Sequence, residues 1–65
     1  MRQELSPRER EVLSLLSTGE GFNQIAERLG IKRSTIARHT THIYNKLGVN
    51  SRTAAVFIAV KKGLI

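Results

Sequence analysis

Apolar residues in this chain recur three and four positions apart in four short blocks, each closed by a glycine or a polar capping residue. That period lines one face of an α-helix, and no stretch alternates apolar with polar residues as a half-buried strand would. The chain is therefore read as all-α. At 65 residues a domain of this size buries only about 60% of its unfolded surface, so its core is small. With no cysteine, neither disulfides nor thiolate metal sites can compensate, and the helices must hold one another.

The first block opens at Ser6-Pro7-Arg8-Glu9. Ser6 can accept from the amide three residues on, Pro7 suits the first helical position, and Glu9 can reach back to complete a capping box. With Leu5 as a staple outside it, the pattern predicts a helix over 7–18 that buries Val12, Leu13, Leu15 and Leu16 and stops at Gly19. A second helix over 22–29 puts Phe22, Ile25, Ala26 and Leu29 on one face before Gly30. It is too short to stand unpacked. A third over 33–47 carries Ile36, Thr40, Ile43 and Leu47 on its inner stripe and ends at Gly48. At about 100° per residue, its opposite face holds Ser34, Arg38, Thr41 and Asn45, flanked by Ala37 and His42. The fourth, over 51–62 with Ser51 as N-cap, is apolar almost all round. Ala55, Ile58, Ala59 and the Lys62 stem are placed toward the core, leaving Thr53, Val56, Phe57 and Val60 on a second face. The expectation is one four-helix bundle over residues 1–65, with 1–4 as an N-terminal tail.

Charge is segregated along this frame. Residues 1–31 sum to −1, whereas residues 32–65 sum to +7 and contain no acid. A solvated surface mixes signs, so the one-sided half points to a polyanionic partner, nucleic acid ahead of an anionic membrane. No signal peptide is expected, and the longest apolar run, 54–60, falls well short of the about 20 residues that span a bilayer.

Helices two and three are joined by Gly30-Ile31-Lys32, the short glycine-containing link of a helix-turn-helix, whose second helix enters the major groove. Any αα-hairpin would show the same spacing and turn. It would not account for a polar, acid-free outer face flanked by Lys32, Arg33, Arg38 and Lys46, where a solvated helix would carry Glu–Lys pairs.

Several blocks in order then resemble one family. Residues 5–13 (LSPREREVL), 25–29 (IAERL), Thr35-Ile36, His39, 46–49 (KLGV) and 52–55 (RTAA) are similar to the LuxR-type, or GerE-type, helix-turn-helix domain over about residues 5–60. The resemblance implies a four-helix DNA-binding output domain of bacterial response regulators or quorum-sensing receptors, acting on transcription in the cytoplasm, where the nucleoid lies. It implies that the third helix reads double-stranded DNA and the fourth forms a homodimer, at least on DNA. Base reading falls to Ala37, Arg38, Thr41 and Ser34. Phosphate contacts fall to Lys32, Arg33, Thr35, His42, Asn45, Lys46 and Arg52, and the dimer face to Thr53, Val56, Phe57 and Val60. An upstream receiver or ligand-sensing domain is a further expectation, with RNA polymerase a further partner the family allows, and the chain is either an excised output domain or a free-standing regulator. This sequence departs from the family's pattern at Gly21 and Phe22, where a Ser or Thr cap and a polar residue are usual, at Asn23 in place of a phosphate-binding Lys, and at Lys32 in place of a capping hydroxyl. Thr40 stands where a Val or Ile is customary, and its buried hydroxyl needs a partner, for which the Ile36 carbonyl is suited.

Other chemistries find little support. His39 and His42 lie three apart, but no carboxylate follows Glu27 and no cysteine exists, so no metal ligand set is expected. No cofactor is expected either. There is no Ser-His-acid set and no phosphate loop after a strand, hence no enzyme. Glu9 and Glu11 are read as a cap and an intrahelical Arg partner rather than a catalytic pair. A sigma-factor promoter reader shares the Arg-Glu-Arg, Ile-Ala and Leu-Gly-Ile phrases, but lacks the Lys-Leu-Gly-Val segment and the apolar fourth helix. A cationic module for proteins or membranes is the alternative from another class.

Overall fold

The computed structural model describes residues 4–65 and is all-α, with no strand among the described residues. Its helices are α1 (Pro7–Leu16), α2 (Phe22–Leu29), α3 (Arg33–Leu47) and α4 (Arg52–Lys61). Of the expected tail, residues 1–3 lie outside the described residues. The second and third helices match the expected bounds, and the fourth is shorter by a residue at each end.

α1 ends at Leu16, two residues before the expected stop. The reason lies in its last turn, where Thr18 and Gly19 amides donate to Leu15 and Leu16, three residues back instead of four. The Ser17 and Thr18 hydroxyls donate to the Ser14 and Leu15 carbonyls. These side chains satisfy the helix end that further α-turns would otherwise cover. The start is as expected: Ser6 Oγ accepts from the Glu9 amide at 3.1 Å, and Glu9 Oε1 accepts from the Ser6 amide at 2.9 Å.

Val12, Leu13, Leu16, Ile25, Ile36, Ile43, Ala55 and Ala59 form the centre of the core. Each helix contributes residues from the stripe its spacing marks out, but Leu15, Phe22, Leu29, Leu47 and Ile58 are only half-buried at the edge of the core, and Lys62, whose stem was expected against it, is exposed. Thr40 is the one buried position on α3 with a hydroxyl, and it donates to the Ile36 carbonyl at 2.9 Å, so the polar atom is not stranded.

Between α2 and α3, Gly30 takes φ 68°, ψ 31°, a left-handed conformation that costs other residues about 1 kcal/mol or more. The Ile31 amide then reaches back to the Ala26 carbonyl at 3.0 Å, and Ile31 packs on the core. The same closure recurs after α3, where Gly48 turns and Val49 donates to Tyr44 at 3.0 Å. This is how the chain ends a helix and buries the next apolar residue in one step. It sets α3 against α2, with Ala26 buried in the core, as a helix-turn-helix requires.

Candidate nucleic-acid interface

Burying Ile36, Thr40 and Ile43 fixes which way the rest of α3 faces. Ser34, Arg38, Thr41, His42 and Asn45 are all exposed. Thr41 donates its hydroxyl to the Ala37 carbonyl at 3.1 Å. The side chains of Ser34, Arg38, His42 and Asn45 make no hydrogen bond or ion pair among the described residues. Ala37 and Thr35 are half-buried beside them. The surface is about 22 Å long for a 15-residue helix, of a size to lie in a major groove.

Lys32 and Arg33 flank the start of this face and are exposed. Lys32 is the N-cap of α3 and makes no side-chain capping bond, so the hydroxyl cap common in the family has no substitute here. The Arg33 guanidinium lies 5.4 Å from the centroid of the Phe22 ring, at the first position of α2. With Arg38, these two give the start of the helix three cations with no ion pair among the described residues.

Two residues expected on phosphates have partners inside the domain. Lys46 Nζ donates to Glu9 Oε1 at 2.7 Å and to the Glu4 carbonyl at 3.1 Å, which ties α3 to the start of α1. The Glu9 side chain is buried, and burial pushes its carboxyl upward. The Lys46 ammonium bond, with the Ser6 amide and hydroxyl, outweighs that and holds it below its ordinary value of 4.5. Arg52 donates from Nε to the Leu16 carbonyl at 2.8 Å and from a terminal nitrogen to the Glu20 carbonyl, and so covers the C-terminus of α1. Neither guanidinium nor ammonium is presented freely as Arg38 is. Nearby, an Arg28 side-chain bond holds the Glu20 carboxyl below its usual range, and Arg8 pairs with Glu11 at 3.1 Å.

Reading the sequence position by position does not reveal these ties. Glu9 and Lys46 are 37 residues apart, and nothing local marks them as partners. Arg52 does leave a signal: a cation in the first turn of a helix opposes the helix dipole, which suggests a partner elsewhere. Phe22 reads as core, because its spacing fits the apolar face of α2.

On α4 the expected second face is open. Phe57 and Val60 are each 63% exposed, Thr53 is exposed and Val56 is half-buried. Lys61 lies 5.9 Å from the Phe57 ring centroid. Leu64 turns back onto the core, its amide bonded to the Ala59 carbonyl at 2.7 Å, and so does not cover Phe57. A groove of about 370 Å³ between Leu5, Arg10, Lys46, Leu47, Lys62 and Leu64 shares only Lys46 with the expected site. Among the described residues no group of three metal-ligating side chains comes together, and no helix is long and apolar enough to cross a membrane.

Three comparisons bear on this arrangement. The family described as "Bacterial regulatory proteins, luxR family" matches residues 3–59. The oxygen regulatory protein NreC of Staphylococcus aureus, in strains JH9 and JH1, is 44% identical over 61 residues, a match covering 94% of this chain and 28% of NreC. The crystal structure of ChrA, a response regulator in a heme-sensing two-component system, superposes with a TM-score of 0.95 at 46% identity, covering all of this chain and 32% of ChrA. The chain thus spans less than a third of the length of each of these proteins.

Proposed function

The chain belongs to the luxR family of bacterial regulatory proteins, DNA-binding transcription regulators and not enzymes, and from that premise we propose that its four helices act as one unit that inserts α3 into the major groove. The observation that carries this reading is the outer face of α3. It is polar, free of acid and led by Arg38, which is exposed and has no partner among the described residues. An arginine so placed can donate two bonds to the O6 and N7 edge of guanine. Ala37 and the Thr41 methyl suit a thymine methyl, and Ser34 can meet either base edge. Lys32 and Arg33 face the backbone at the start of the helix, with Thr35, His42 and Asn45 as further phosphate donors. Lys46 and Arg52 act chiefly by holding the scaffold, because their donors already have carbonyl and carboxylate partners.

In this reading the domain binds as a homodimer through Thr53, Val56, Phe57 and Val60 of α4, on half-sites about 10 bp apart. The unit is the output part of a longer cytoplasmic response regulator with a receiver domain, in the manner that the names of NreC and ChrA suggest. RNA polymerase is the partner through which such an output would act.

The test is a selection of bound sequences from random duplex DNA, followed by Arg38→Ala. Affinity for the selected duplex should fall by about 1–3 kcal/mol, with relaxed preference at one base pair, while binding to scrambled DNA changes little. Equal losses on both duplexes would remove Arg38 as the reader.

A further inference from the structure

We infer that Phe22 is a positioning residue for DNA binding, its ring a platform that holds the Arg33 guanidinium against the phosphate backbone where α2 and α3 begin. This rests on the reading of α3 as the DNA-facing helix. The ring belongs to the first turn of α2, whose residues Phe22, Asn23 and Gln24 carry no charge. One side of Phe22 packs against the core, so the ring is fixed by the fold. The guanidinium of Arg33, at the first position of α3, lies 5.4 Å from its centroid, within the about 6 Å over which a cation is drawn to an aromatic face.

The consequence is a division of labour across the turn. An exposed arginine samples many rotamers, and fixing it on a phosphate costs side-chain entropy. A guanidinium already resting on a ring has lost part of that freedom before DNA arrives, which is the general advantage of preorganisation. The guanidinium nitrogens stay free to donate, because Arg33 makes no hydrogen bond or ion pair among the described residues that would occupy them. The ring thereby lends the uncharged start of α2 a cation from α3.

A double-mutant cycle with Phe22→Leu and Arg33→Gln tests this, read by affinity for a selected and a scrambled duplex. Phe22→Leu leaves the net charge unchanged, yet affinity for both duplexes should fall about two- to fivefold. Arg33→Gln should weaken both and lower the log–log salt slope by about one. In the Arg33→Gln background, Phe22→Leu should cost nothing further. Phe22→Tyr, which keeps the ring, should restore affinity and the upfield ring-current shift of the Arg33 side-chain protons that Phe22→Leu abolishes. Thermal melting of each variant, with binding measured well below all midpoints, keeps a folding defect apart from a binding one. Independent, additive losses for the two substitutions, or full affinity in Phe22→Leu, would overturn the inference while leaving the α3 reading intact. Loss of salt-sensitive DNA binding by the parent domain itself would overturn both.

Discussion

Glu9 serves two structures at once. It closes the capping box with Ser6 and accepts the ammonium of Lys46, so one carboxylate both starts α1 and clamps α3 against it. Because its carboxyl is held below the ordinary value in the folded domain, the stability it contributes is present above the unfolded pKa and disappears as pH falls through the folded one. Glu9→Gln should cost about 1–2 kcal/mol at neutral pH, and the gap between parent and variant should close between about pH 5 and pH 3 in urea titrations. A gap independent of pH would contradict the pairing. Lys46→Met should lose a similar amount with no DNA present, since it leaves Glu9 buried and unpaired; a side chain serving phosphate alone would leave the melting temperature unchanged. The capping box was legible in the sequence because its two members share one turn. The Lys46 tie was not, because only the fold brings residues 37 positions apart together. Phe22 shows a subtler limit, since a periodicity that marks its buried side says nothing about what rests on the other.

At the scale of elements, the C-terminal ends of α2 and α3 fall where helix spacing places them, because Gly30 and Gly48 end these helices by a conformation that L side chains avoid. α1 was harder to bound, since its end is set by hydroxyls and by Arg52 reaching from another helix. For α4 the spacing correctly separates Ala55 and Ala59, fully buried, from Phe57 and Val60, each 63% exposed. Val56 is only half-buried, so a charge there would disturb packing as well as any interface. Phe57→Glu is the cleaner probe of the proposed dimer. It should abolish cooperativity on a duplex with two half-sites and leave single-site affinity within about twofold, as expected when an exposed residue serves only an isologous contact. Equal effects on one and two sites would take Phe57 out of the interface.

For the whole molecule, the net charge of +6 resolves into distinct populations once the fold is known. Lys46 and Arg52 bond within the scaffold, Arg28 and Arg8 are paired with acids, and Lys32, Arg33 and Arg38, in the first half of α3 or at its cap, have no ion pair among the described residues. From sequence alone about five cations per protomer would be assigned to phosphate, giving a slope of log affinity against log salt near −4 to −5; with Arg38 on a base edge, the two that remain, Lys32 and Arg33, give about −2. The central claim, that this basic half binds duplex DNA through the α3 face, is tested most directly by measuring the affinity of the domain for a selected duplex across a salt series. A slope of about −2 per protomer is the predicted result, and an affinity that does not change with salt would contradict it.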